Sequence, residues 1–199
     1  MGEGGFHGYN DANAGHGMWL NDCFGFLSNT LCIGGVGNGA DGGHGVILRD
    51  SEFKELASTF TGGDGNPDGG DLTLYGDNEV EHLEGEPRSH SVTSPNRYGD
   101  TISLTFVGNS GDLVIYSHSF ACAGEYMPLA KGTFVIDPSA MFNATIGILP
   151  GSGVLELKLT TPSLPGFEGL PIFGQPWFID LEGANLGTPS CTTLLDPQF

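Results

Sequence analysis

Residues 34–70, GGVGNGADGGHGVILRDSEFKELASTFTGGDGNPDGG, decide how this chain is to be read. They form one complete unit of a repeat. A Gly/Asn/Asp-rich segment hands over to a short apolar strand at Gly45–Leu48, a mixed stretch follows to Phe60, and glycines return. Copies flank it on both sides. Gly4–Gly17 precedes Met18-Trp19-Leu20, Gly34–Gly45 precedes Val46-Ile47-Leu48, and Gly62–Gly70 precedes Leu72-Thr73-Leu74. The spacing is 28 residues from Leu20 to Leu48 and 26 from Leu48 to Leu74.

A period in the twenties with glycine turns and no helical pattern is what stacked β-coils require. One such coil is too small to bury its own apolar face, so neighbours stack and their strands pair in parallel. The expectation is all-β: a short right-handed parallel β-helix of about three coils over residues 1–90, followed by an antiparallel β-sandwich over 91–199. A propeller would need four strands per copy, and these copies are too short. The calcium-binding nonapeptide GGxGxDxUx is not matched either, because Gly39 and Pro67 stand where its pattern fails.

Composition agrees. Thirty-four glycines and twelve prolines are costly inside helices and natural in turns. Twenty-four acidic residues against six basic ones give a formal charge of -18, which repels phosphate backbones and anionic headgroups. Nucleic-acid partners are therefore not expected, nor is membrane insertion, since no apolar run reaches the length of a span. The chain opens Met-Gly-Glu with neither a basic nor an apolar leader region, so a signal for export would lie outside this sequence.

Beyond about Arg88 the repeat gives way to alternation. Thr101–Phe106 places Ile102, Leu104 and Phe106 on one face, and Val154–Leu159 does so with Leu155, Leu157 and Leu159. Further strands are expected at 112–120, 132–137, 172–181 and 191–195, with the junction at His90–Asn96.

Three segments of this second half, SVTSPNRYGDTISLTFVGNSGDLVIYSHS (91–119), KGTFVIDPSAMF (131–142) and GILPGSGVLELKLTTPSLPGFEGLPIFGQPWFID (147–180), resemble the C-terminal β-sandwich of large secreted or surface proteins of planctomycete-type bacteria. The motifs are GDxxxLxF at Gly99–Phe106, VIDP at Val135–Pro138 and QxxF at Gln175–Phe178. In that group a Gly-rich, pectate-lyase-like β-helix commonly precedes the sandwich, and this chain is similar in that too. The resemblance thus covers Gly4 to Leu195, with three coils making a very short helix for the group. The resemblance implies an extracellular address, no assigned chemistry, and structural roles for Asp137, Gln175 and Trp177.

Stacking creates ladders about 4.8 Å apart. His16 and His44 are expected to be neighbours, as are Asp22, Asp50 and, one step on, Asp77. Stacked carboxylates repel unless solvated or bridged, so Asp22 and Asp50 are the candidate ligands for a Ca²⁺ ion; as turn formers at solvated corners they need none. Cys23 with Cys32 and Cys122 with Cys191 are the simplest disulfides if the compartment is oxidising, and free thiols otherwise.

Parallel β-helices also host polysaccharide lyases and hydrolases, whose chemistry needs carboxylates and a base. The first half offers Arg49 beside Asp50, and Lys54. Glu52 and Glu55 stand among too many carboxylates to be ranked. No GxSxG, HExxH or P-loop occurs. Phe6, Tyr9, Trp19 and Tyr75 are candidates for a sugar platform, with core packing the expected role of Trp19. The leading expectation is a non-catalytic structural or adhesive protein of the cell surface, self-associating end to end into a fibre through the N-terminal β-helix edge. A carbohydrate-active protein with a polysaccharide partner is the alternative.

Overall fold

The computed structural model describes residues 14–163 and 165–195 and divides into two units, the first ending at Gly85 and the second beginning at Glu86. Phe6, Tyr9 and most of the first glycine segment lie outside the described residues. Among the described residues there is no α-helix.

In the first unit each repeat supplies short strands. The first gives β1 (Met18–Asn21), β2 (Phe24–Ser28) and β3 (Leu31–Ile33); the second gives β4 (Val46–Arg49), β5 (Glu52–Leu56) and β6 (Thr59–Thr61); the third gives β7 (Leu72–Tyr75) and β8 (Glu79–Leu83). They assemble by position in the repeat. The three sheets β1-β4-β7, β2-β5-β8 and β3-β6 are all parallel. Leu20, Leu48 and Leu74 occupy one column, as the 28- and 26-residue spacing requires. Beneath these columns Val46, Leu48 and Phe53 are fully buried, packed with Met18, Leu20, Leu27, Phe60, Leu72 and Val80. Burial of each large side chain contributes roughly 1.5–3 kcal/mol.

Two corners per repeat turn the chain between strands. Each is opened by a residue in the left-handed region: Asp22 (φ 51°) and Asp50 (φ 47°) after the first strand, Asn29 (φ 47°) and Ala57 (φ 50°) after the second. Asn and Asp tolerate that conformation because their side chains bond locally, whereas alanine has no such compensation.

The glycine segments do more than turn the chain. They lie on one another as layers joined by main-chain bonds: Gly35 N–H donates to Gly15 O (2.8 Å), Gly43 to Gly35 (2.9 Å), Gly63 to Gly43 (2.7 Å) and Gly69 to Gly63 (2.9 Å). A Cβ on Gly43 would overlap the carbonyl of Gly15, and one on Gly63 the carbonyl of Gly35. Only glycine lets backbones approach so closely, the constraint that also governs the collagen axis.

The second unit is built from β9 (Ser89–Val92), β10 (Asn96–Arg97), β11 (Thr101–Val107), β12 (Leu113–Ser119), β13 (Cys122–Met127), β14 (Gly132–Ile136), β15 (Phe142–Ile148), β16 (Val154–Thr160), β17 (Pro171–Ile179), β18 (Ala184–Leu186) and β19 (Ser190–Leu195). The expected strands at 112–120, 132–137, 172–181 and 191–195 correspond to β12, β14, β17 and β19. His90–Val92, placed at the junction by the sequence, belong instead to β9, paired with β11.

A six-stranded sheet, β10-β19-β17-β12-β15 with β18 on β17, lies at the centre. Its pairs are antiparallel except β10 with β19. One face packs on the sheet β16-β11-β9, where Leu104 and Phe106 meet Val114, Leu149 and Phe178. The other carries the ribbon β13-β14, where Phe134 and Ile136 meet Leu186, Phe173 and Trp177. The alternation read in β11 is therefore its core face. In β16, Leu155 and Leu157 pack inward, while Leu159 is half exposed.

Candidate functional site

The outward face of β1-β4-β7 is where the candidate residues of the first unit gather. One column runs Trp19, Ile47, Thr73 and the next Asn21, Arg49, Tyr75. Trp19 is 59% exposed and Tyr75 48%, so the expectation that Trp19 packs in the core is corrected. Strand alternation decides this. Met18 and Leu20 face the core and Trp19 between them must face out.

Just before these strands, His16 and His44 are neighbours with ring centroids 5.2 Å apart. The His44 backbone N–H donates to His16 Nδ1 (3.0 Å), and one repeat later the Gly70 N–H donates to His44 Nδ1 (2.8 Å), with Thr73 Oγ1 also 2.8 Å away. An Nδ1 that accepts carries no proton, so both rings hold their hydrogen on Nε2. Burial, and then the neighbouring His44, push the His16 pKa below its ordinary value.

Asp22 and Asp50 share a column at the first corner, linked by Asp22 N–H to Arg49 O (2.9 Å). Asp77 does not continue it. The third position falls to Gly76 (φ 74°), over which the Asp50 carboxylate lies so closely that a Cβ would collide with it. Asp50 Oδ1 accepts the Asp77 N–H (3.0 Å). The third corner is longer by one residue, Asn78, whose Oδ1 accepts the Ser51 N–H (3.1 Å). Among the described residues no three His, Cys, Asp or Glu side chains form a group that would hold a metal.

The other polar candidates are also engaged. Glu55 accepts the Ser58 N–H (2.9 Å) through one oxygen and contacts His82 Nδ1 (2.6 Å) through the other. Lys54 lies between Glu81 and Glu52. Its hydrogen bond to Glu81, and then that to Glu52, hold its pKa above the ordinary lysine range while burial opposes them, so it stays charged and is no proton acceptor at neutral pH.

All four cysteines are free thiols: Cys32 is buried and Cys23, Cys122 and Cys191 are exposed. This corrects the expected bridges. Cys23 stands in the corner before β2 and Cys32 points into the core from β3, while Cys122 on β13 and Cys191 on β19 belong to different sheets.

Two polar clusters in the second unit escaped the sequence reading. Arg88, 5% exposed, donates from Nε to Asp112 Oδ2 (2.9 Å), from Nη2 to Asp180 Oδ2 (3.0 Å) and from Nη1 to Glu86 O (2.7 Å). His90, 7% exposed, stacks on Phe106 (4.8 Å) and meets the edge of Tyr116 (4.9 Å). Its Nδ1–H donates to Thr105 O (3.1 Å) and its buried Nε2 has no hydrogen-bond partner. Burial pushes its pKa down to about 4, against the Thr105 bond. The signal available was an arginine just before a strand and a histidine within one, both too common to single out. Asp137, Gln175 and Trp177 are structural. Asp137 caps a 3₁₀ turn through Ser139, the buried Gln175 amide bonds Thr133, Val135 and Gly187 main chain, and Trp177 Nε1 donates to Ser117 Oγ.

No protein family's sequence profile matches the chain, and no curated protein matches it. Among solved structures, one described as "Myokine structure" is similar over 55% of this chain and 99% of its own, at 9% identity and a TM-score of 0.28. At that score it carries no argument. Among the described residues no helix is long and apolar enough to cross a membrane.

Proposed function

We propose that this chain is a non-catalytic structural or adhesive protein of the extracellular space or cell surface. In this reading the first unit is a short right-handed parallel β-helix of three coils, and the second a β-sandwich bearing an extra ribbon. What supports this is the in-register column structure: two sheets take one strand from each of the three repeats and the third takes one from each of the first two, all in parallel. Right-handed crossovers are the rule for parallel strands joined in this way. The polar residues that chemistry would need are spent on the frame, Asp50 on the Asp77 amide and Glu55 on the Ser58 amide. The surface address rests on the resemblance of residues 91–180 to planctomycete-type surface proteins. The self-associating edge is that of β1, β2 and β3.

The test combines light scattering with electron microscopy of the purified chain at high concentration. Ordered assemblies are expected, and a strictly monomeric species refutes the assembling role. Turnover of uronate polymers with calcium present, followed by ultraviolet absorbance, refutes the non-catalytic one. Exposed Trp19 and Tyr75 on the face that also presents Arg49 favour a second reading, a carbohydrate-binding surface. Quenching or shift of tryptophan emission on titration with a polysaccharide, lost in Trp19→Thr, identifies it.

A further inference from the structure

We propose that β15 is the contact strand for a second copy of this chain, the two β15 strands pairing antiparallel across a two-fold axis so that their six-stranded sheets become one. This goes beyond the self-associating reading above, which concerns the first unit only. β15 ends its sheet, and among the described residues it pairs with β12 alone. Its seven residues, FNATIGI, include no charge and no proline. Phe142 is 59% exposed, and Asn143, Ala144 and Thr145 are exposed beside it. The other strands that end a sheet in this unit carry devices that block pairing with a further strand. β10 and β18 are two and three residues long. β16 presents Glu156 and Lys158, ion-paired at 3.4 Å, and β13 is bulged and bears Glu125. The His90 main chain of β9 is held by Thr188 Oγ1, which accepts the N–H (2.8 Å) and donates to the carbonyl (3.1 Å). Gln175 does the same for β14, at the Val135 N–H and the Thr133 carbonyl (both 2.9 Å). The irregularity in β15 is a bulge at Ile146, where its register with β12 passes from Thr145 to Gly147, so Phe142–Thr145 stay regular.

An open strand edge takes an extended strand, and charge selects whose. The chain carries -18 overall, yet no Asp, Glu, Lys or Arg stands between Asp137 and Glu156. A partner held by charge would be basic and would be drawn to the acidic residues elsewhere. Two copies of so acidic a chain meet with least repulsion where neither is charged. The strand also complements itself. Asn143 and Thr145 lie on one face of the sheet, opposite Ser117 and Ile115, and Phe142 and Ala144 on the other, opposite His118 and Tyr116. A two-fold axis at Ala144 sets Ala144 against Ala144 and each Asn143 against the other copy's Thr145, so polar meets polar and apolar meets apolar.

Sedimentation velocity of the full chain at low and high salt tests this, together with hydrogen exchange read by mass spectrometry at low and high protein concentration. Ala144→Lys and Thr145→Lys are the variants, both at exposed positions, and circular dichroism checks that each folds as the parent does. The parent associates, more tightly at high salt as repulsion is screened, and the amides of 142–146 gain protection as concentration rises. Each variant weakens association by at least about tenfold, because a lysine on or beside the axis faces its own copy. Each also moves the net charge from -18 to -17, which by itself eases repulsion, so a loss of association is local to the strand. Association unchanged in both variants, or concentration-dependent protection confined to 18–33, overturns the proposal and leaves the β-helix edge as the contact. Protection confined to β15 upholds the proposal and refutes that edge. A parent monomeric under every condition overturns both, and leaves β15 to a strand of another protein.

Discussion

Replacing Gly43 by alanine adds one methyl group where the backbone is already layered. The φ of Gly43 is not in the left-handed region, so alanine adopts the conformation freely and the whole effect is steric. The new Cβ overlaps the Gly15 carbonyl oxygen and lies 2.8 Å from Gly35 N. Relief requires the segments to part, which lengthens the Gly43-to-Gly35 bond (2.9 Å) and the Gly35-to-Gly15 bond (2.8 Å). Overpacking costs about 1–3 kcal/mol and each weakened buried bond about 1 kcal/mol. The lowered entropy of the unfolded chain returns about 0.5 kcal/mol. The net loss is about 3 kcal/mol, which at an m-value near 1.5 kcal/mol/M lowers the urea midpoint of the first unit by about 2 M. Urea unfolding by far-ultraviolet circular dichroism reads the midpoint, and hydrogen exchange over 34–45 reads the segment itself. Gly124→Ala and Gly151→Ala, whose added Cβ meets nothing within 4 Å, serve as controls and shift stability by less than about 0.5 kcal/mol. A Gly43→Ala protein as stable as those controls refutes the claim that backbone lamination holds the repeats together.

Three further outcomes are expected. Arg88→Met leaves Asp112 buried without its guanidinium and destabilises the second unit by about 3–5 kcal/mol, seen by calorimetry; a loss under about 1 kcal/mol would sink the assignment. His90, with its folded pKa lowered to about 4, binds its proton more readily in the unfolded chain. Its contribution is therefore complete above the unfolded value near 6.5 and is lost as pH falls from there to about 4, by up to about 3 kcal/mol. His90→Phe removes that part of the acid slope in urea midpoints taken across the range, and an unaltered slope contradicts the argument. Ala57→Asn, placing at the second corner the residue its counterpart Asn29 already is, raises stability by up to about 1 kcal/mol because alanine at φ 50° is strained; an unchanged or lower melting temperature speaks against it.

Periodicity and strand alternation made the architecture legible. A spacing of 28 and then 26 residues between like strands is a statement about which residues share a column, and Leu20, Leu48 and Leu74 do. The His16–His44 ladder followed from the same arithmetic, and so did the core face of β11. The same arithmetic puts Gly76 at the third corner, two residues after Leu74 as Asp50 is after Leu48, so Asp77 was expected one position too early; the extra residue of that corner comes after it. The candidate site was less legible, since Arg49, Asp50 and Lys54 are common surface types, and the Asp77 amide that bonds Asp50 and the Glu81 that pairs with Lys54 lie a repeat away.

The order of elements, their pairing by repeat and the all-β class were thus written in the chain itself, because they follow from local period and from which faces are apolar. Only the tertiary structure decided that the glycines are layers as well as turns, that the cysteines stand apart as free thiols, that Trp19 faces outward, and that Arg88, Asp112 and Asp180 meet. Those outcomes depend on distances between segments remote in sequence, and a main-chain carbonyl lying where a Cβ would go leaves no mark in composition beyond the glycine itself.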